Sequence, residues 1–199
     1  TAARSLDAME QLKNRGYDLL PVGSTAFCKT DTRFGKASET QSKIETLCQR
    51  PIISTLTDAE PVGPVLKPDA MIIAPLTGSS LAKLSHGISD TPVTLAAKAH
   101  LRNGRPLLLG LATNDALSGN FENLARLYTR KNIYFVPMRE DDPQNKPSSL
   151  VCDFARIPEA LEAALAGRQL LPVFVSSFCP MSLFSDSFFT SFSFLLSLL

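Results

Sequence analysis

The stretch DAMIIAPLTGSSLAKLSHGISDTPVTLAAKAHLRNGRPLLLGL, from Asp69 to Leu111, reads as strand, loop, two consecutive helices and strand. Ala70 to Ala74 is a short continuous apolar run, the pattern of a strand buried on both faces. Pro75 ends it, because proline has no N–H to give to a ladder. Thr77-Gly78-Ser79-Ser80 then crosses into a helix, with glycine for the tight turn and hydroxyls to cap the free N–H groups. A hydroxyl-rich turn between a parallel strand and a helix N-terminus suits an anion, since the N–H groups and the helix dipole both favour negative charge. Taken alone, the motif is better explained as an N-cap only.

Working outward, Leu81 to Gly87 is a helix, and Asp90-Thr91-Pro92 is expected to open the next with Asp90 as its N-cap. Val93, Ala96, Ala97 and Leu101 form its apolar stripe. Arg105 to Ala112 is a second buried strand, ending at Thr113-Asn114-Asp115. On the N-terminal side, Thr1 to Arg15 is helical, with Leu6, Met9 and Leu12 recurring and Gly16 as C-cap. Tyr17 to Gly23 is expected to be a strand with Ser24 and Thr25 at its end. Lys29 to Lys36 is a polar loop and Ser38 to Cys48 a helix. Pro51 to Pro68 is a long proline-stiffened connector of the kind that is often functional. On the C-terminal side come a helix from Leu117 to Arg130, a strand from Ile133 to Pro137 and a charged turn from Arg139 to Asn145. A last helix, Ile157 to Ala166, is closed by Gly167. Alternating strands and helices predict a parallel sheet with helices on both faces. Ligands in such sheets bind beyond the carboxyl ends of the strands, and Ser24, Thr77 to Ser80 and Asn114 all fall at such ends.

A length of 199 residues suits one domain with a sizeable core. A net charge of +1 gives no electrostatic footprint for nucleic acid or a membrane surface. Cys28, Cys48, Cys152 and Cys179 share no close spacing, which argues against a zinc pattern or disulfide framework and for buried thiols in a reducing compartment. His86 and His100 have no metal-like partner in the sequence, and each is read as lying on a helix surface.

The elements TDTRFG (residues 30–35), APLTG (74–78), DTPVTLAAKAHLRN (90–103), TRKNIYFVP (129–137) and DDPQNKP (141–147) together resemble the B subunits of dipicolinate synthases. That family lies among the flavoproteins that include cysteine decarboxylases and flavin prenyltransferases. The resemblance runs from about Thr1 to Val175. It implies an α/β fold, a three-layer flavodoxin- or Rossmann-like parallel sheet with helices on both faces. It also implies an oxidoreductase complex in which this chain and a nicotinamide-binding A subunit, carrying NAD(P), convert dihydrodipicolinate to dipicolinate. The setting it implies is the cytoplasm of the mother cell of an endospore former, and it implies a homo-oligomer.

By position, the resemblance implies FMN as a cofactor. Thr77, Gly78, Ser79 and Ser80 take the last four places of the superfamily's flavin-phosphate loop, with Ser79 where Asn is usual. Asp90 matches a superfamily Asp, and Ser24 matches a hydroxyl that contacts the phosphate. Asn114 falls where cysteine decarboxylases carry a substrate-binding Asn. No catalytic residue and no metal ligand is assigned. Flavin prenyltransferases carry Arg where this chain has Leu95, and an Arg-Glu pair where it has Thr113-Asn114, so prenyl transfer is disfavoured. Cysteine decarboxylases add a catalytic His with no counterpart here, which leaves a decarboxylase-like flavoprotein as runner-up, together with a non-catalytic role in assembly. Dipicolinate is a dicarboxylate dianion. Lys83, Lys98, Arg102, Arg139 and Lys146 are the basic candidates to meet it, although any one of them also fits a solvated helix face or turn.

Two features set the bounds of the domain. The family begins with a strand and a Gly-Ser-rich turn that would precede Thr1, so 1–175 is read as the domain without its first strand, with stability and flavin binding expected to be weakened. Residues 176–199 hold half of the twelve Phe with a single charge, Asp186. A frameshift through a pyrimidine-rich tract accounts for this tail. A membrane anchor is the rival, but Phe188 to Leu199 is shorter than the roughly 20 residues a span requires.

Overall fold

The computed structural model describes residues 2–24, 27–28, 30–31 and 36–175. The expectations for the 176–199 tail, for Cys179, for Thr25 and for the TRFG part of the upstream motif lie outside the described residues.

A central strand, β2 (Leu107–Thr113), assigns the two faces of the sheet. Side chains alternate along a strand. Leu107, Leu109 and Leu111 accordingly enter one apolar cluster and Leu108 the other, all at 0–1% exposure. β1 (Met71–Leu76) lies parallel to β2, with Met71 opposite Leu107 and Leu76 opposite Leu111. Its Met71, Ile73 and Leu76 join the first cluster, and Ile72 and Ala74 pack against the second. On the other side of β2 its first half pairs in parallel with β3 (Ile133–Phe135). Its last two residues pair antiparallel with β5 (Lys146–Cys152), and β4 (Met138–Asp142) completes a hairpin with β5.

Seven α-helices have both ends among the described residues. They are α1 (Ala2–Asn14), α2 (Ala37–Cys48), α3 (Leu56–Ala59), α4 (Gly78–His86), α5 (Pro92–Leu101), α6 (Phe121–Tyr128) and α7 (Ile157–Leu165). Leu81 and Leu84 of α4, Ala96 and Ala97 of α5, and Leu124 and Leu127 of α6 cover the first face. Ala8 and Leu12 of α1 and Ile157, Ala160 and Leu161 of α7 cover the second. The result is a three-layer α/β sandwich. Each fully buried leucine in it contributes about 1.5–3 kcal/mol of transfer free energy, which is why the continuous apolar runs decide the fold.

Several local expectations are corrected. Tyr17 to Gly23 forms no ladder among the described residues beyond a single parallel bridge, Val22 to Ile53. Pro21, with no N–H, contributes its carbonyl there, accepting from the Ile53 N–H at 3.0 Å. The charged segment from Arg139 to Asn145 is largely β4 and the hairpin turn. Its sequence reads as a turn because only Met138 of β4 is buried, so both faces of the strand are polar. The turn is held by the Asn145 side chain, which donates to Asp142 at 3.0–3.1 Å. The helix expected from Leu117 begins only at Phe121, because residues 114–120 wind into turns held by Asp115. Thr91, not Asp90, caps α5. Its hydroxyl accepts from the Thr94 N–H at 3.2 Å while the Thr94 hydroxyl accepts from the Thr91 N–H at 3.1 Å, a capping box.

His100 is not on a surface. It is fully buried, and its Nε2 donates to the Pro106 carbonyl at 2.9 Å while Nδ1 has no partner. Burial lowers its pKa, so the ring is held neutral. The proline-rich connector is folded rather than loose. Ala59 and Val62 are buried, and α3 packs on α5. Gly63 sits so close to Ala99 that a Cβ would lie 2.5 Å from the Ala99 carbonyl oxygen, and Asn103 donates to the Gly63 carbonyl at 2.7 Å. No described helix is long and apolar enough to cross a membrane.

Candidate functional site

Parallel pairing of β1 with β2 brings their carboxyl ends side by side, and each end carries a polar turn. Beyond β1, Thr77 caps α4, its hydroxyl accepting from the Ser80 N–H at 3.4 Å. The first N–H groups of a helix have no intrahelical acceptor. Among the described residues nothing accepts from the Gly78 or Ser79 N–H, and Thr77 and Ser79 are exposed. The turn therefore offers two backbone N–H groups and the hydroxyls of Ser79 and Ser80 on one helix start, with the Thr77 hydroxyl donating to Ser80 Oγ at 3.3 Å. That donor set suits a phosphate monoester such as the one on FMN.

Beyond β2, Thr113 donates to Asp115 Oδ1 at 2.6 Å, and Asn120 Nδ2 donates to Asp115 Oδ2 at 2.7 Å. These bonds, Thr113's foremost, hold the Asp115 carboxyl below the usual carboxylate range. Asn123 donates to Asn120 Oδ1 at 2.9 Å, and Ser85 of α4 donates to Asn123 Oδ1 at 2.6 Å. A continuous polar chain thus links the end of β2, the start of α6 and the last turn of α4. Gly78 lies against its other end. A Cβ there would stand 2.7 Å from Asn120 Nδ2, 2.7 Å from Thr113 Oγ1 and 3.0 Å from Asp115 Oδ1. Only a glycine fits this approach of backbone to side chains.

Asn114 is exposed between Thr113 and Asp115. Its Oδ1 accepts from Ser149 Oγ at 3.4 Å, which leaves Nδ2 to donate outward. The structure therefore brings together Thr77 to Ser80 and the Asn114 turn. The other two predicted contacts are engaged locally. Ser24 Oγ accepts from the Phe27 N–H at 3.1 Å. Asp90 pairs with Lys83 at 2.9 Å, and that hydrogen bond lowers its pKa. Of the basic candidates, Lys98 reaches Ser89 at 3.4 Å and Lys146 reaches Asp141 at 3.5 Å. Arg139 lines a separate cleft of about 220 Å³ with Arg4, Asp7 and Asp153, whose charges balance. That cleft shares no lining residue with the paired turns. Among the described residues no Lys or Arg bonds to Asn114. Cys152, also at that cleft, is pushed up to about 12 by burial, so its thiol stays protonated. No group of three or more His, Cys, Asp or Glu side chains among the described residues is placed to hold a metal ion.

Sequence reasoning misses Asp115, Asn120, Asn123 and Ser85. An Asp followed at i+5 by an Asn has no recognisable period, and the link to Ser85 spans 38 positions.

The flavoprotein family profile matches residues 52–160, which spans β1, β2 and both turns. The chain is 45% identical over 170 residues to the B subunit of dipicolinate synthase from Bacillus subtilis (strain 168), covering 85% of each chain. It is 27% identical over 112 residues to a flavin prenyltransferase of Neisseria meningitidis, covering 52% of this chain and 59% of that one. Its backbone is similar to the crystal structure of the dipicolinate synthase B subunit from Bacillus halodurans, with a TM-score of 0.80 and 44% identity over 87% of this chain and 89% of that one. The chain thus belongs to the flavoprotein family and, within it, to the branch formed by the B subunits of dipicolinate synthases.

Proposed function

We propose that this chain acts as the B subunit of a dipicolinate synthase, working with a nicotinamide-binding A subunit in sporulating cells. The observation that carries the reading is agreement with two such relatives, in sequence and in backbone, along about 85% of the chain. The reaction removes two electrons and two protons from dihydrodipicolinate, with NAD(P) on the A subunit as the hydride acceptor. The product is a dicarboxylate made in the mother-cell cytoplasm.

In this reading the paired turns form the site. The Gly78 and Ser79 N–H groups, with the hydroxyls of Ser79 and Ser80 on the turn that Thr77 caps, hold the phosphate of FMN. Ser24 and Asp90 complete the cofactor contacts once freed from their local partners. A bound flavin would supply a two-electron carrier. Asn114 Nδ2 donates to a substrate carboxylate and orients the ring. Among the described residues no Lys or Arg bonds to Asn114 to balance the carboxylate charge. That same absence favours the second reading, a non-catalytic chain that orders the A subunit.

The test is dipicolinate formation by the A subunit with this chain and its variants. Changes at Thr77, Ser80 or Asn114 that lower turnover in an intact complex support the catalytic role. Changes that act only by loosening the complex support the assembly role.

A further inference from the structure

We infer that Asp115 and its two donors, Thr113 and Asn120, are positioning residues that set the phosphate-binding turn of α4 through Gly78. The inference rests on the reading of that turn as the FMN-phosphate site. Both carboxylate oxygens of Asp115 are committed, at 2.6 Å to the Thr113 hydroxyl and 2.7 Å to the Asn120 amide. Asn120 is 8% exposed. These polar atoms form the wall against which the Gly78 Cα rests, with no space for a Cβ.

Gly78 is the first residue of α4, so the height of this wall fixes where the Gly78 and Ser79 N–H groups point. The hydrogen-bonded chain continues through Asn123 to Ser85, so the last turn of α4 is tied to the same network. α4 is thus packed against the wall at Gly78 and hydrogen-bonded at Ser85, so a shift along its axis would break the 2.6 Å bond from Ser85 to Asn123 or drive Gly78 into the Asp115 cluster. The wall is also continuous with the Asn114 turn, because Thr113 and Asp115 flank Asn114. One anchor therefore registers the cofactor turn against the substrate turn.

Three variants and two ligands separate this role from simple stabilisation. Thr113→Val keeps the shape and removes the hydroxyl. Thr113→Ser keeps the hydroxyl, and Asp115→Asn removes the charge on which both bonds rely, its amide oxygen kept for Asn120 and its NH2 turned to the Thr113 hydroxyl. Fluorescence titration with FMN and with riboflavin, which lacks the phosphate, reads the turn directly. Each broken charge-assisted bond is expected to weaken FMN binding about tenfold. Riboflavin affinity should stay unchanged, and Thr113→Ser should bind FMN as the unmodified chain does. Equal weakening for both ligands would reduce the network to a structural one and overturn the inference, as would unchanged FMN binding in Thr113→Val and Asp115→Asn. If the unmodified chain shows no preference for FMN over riboflavin, the phosphate reading itself fails and the inference falls with it.

Discussion

Asn114 carries the substrate side of the account, and its test is specific. It is exposed, and its only hydrogen bond among the described residues is the 3.4 Å contact from Ser149 to its oxygen. Replacing Asn114 with Ala should leave the fold intact, since surface changes usually stay within about 0.5 kcal/mol. Loss of one positioned donor should lower dipicolinate formation by about 10–1,000-fold, measured with gel filtration confirming that the complex with the A subunit persists. Turnover close to that of the unmodified chain would remove Asn114 from the site. His100 makes a separate prediction about pH. Its folded-state pKa lies below the ordinary value of 6.5, because burial disfavours the charged ring. The stability it permits is therefore fully present above about pH 6.5. Below that the unfolded chain takes up a proton that the folded chain refuses, and stability falls by at most about 1.4 kcal/mol per pH unit. Urea unfolding between pH 7.5 and 5.5 should show this slope, and His100→Gln should flatten it. An identical slope in the variant would mean that His100 is not the cause.

At the scale of elements, what can be read from the sequence follows from what each element buries. The runs at 70–74 and 107–111 pack on both faces, so their nature is plain. Pro75, expected to end β1, lies within it. The strand runs on to Leu76 opposite Leu111, with a register shift after Ile73 where the proline has no N–H to give. The stripes of α5 and α6 are equally legible, with Ala96, Ala97, Leu124 and Leu127 at 0–3% exposure. β4 is not, because a hairpin strand polar on both faces lacks the alternation that marks a half-buried one. The cap of α5 lies one position from where its sequence suggests. Asp90 and Thr91 both suit an N-cap by type, and only the Thr94 hydroxyl, which closes the capping box, separates them. The candidate site divides in the same way. Thr77 to Ser80 are contiguous and readable as a helix start. The Asp115–Asn120–Asn123–Ser85 chain exists only in three dimensions. The contribution of the α5 cap can be measured. Thr91→Ala breaks the capping box and should cost about 1 kcal/mol. That corresponds to a melting temperature lower by about 2–4 °C. A melt unchanged within about 0.5 °C would show that the box contributes nothing.

The whole molecule is a sheet with its polar turns gathered at the carboxyl ends of adjacent parallel strands, and helices seal both faces. Such a frame lets the loops vary in chemistry while the core stays fixed. In this chain the loops offer backbone N–H groups, hydroxyls and one amide, with both carboxylate oxygens of Asp115 tied up in internal bonds. The arrangement suits holding a phosphate. The proposed function adds a partner, the A subunit, that carries the nicotinamide. The most direct test is the rate of dipicolinate formation from its dihydro precursor with NAD(P) and the A subunit, in the presence and absence of this chain. The account predicts product that depends on both chains and falls when Asn114 is replaced. A rate for the A subunit alone equal to that of the mixture would contradict it.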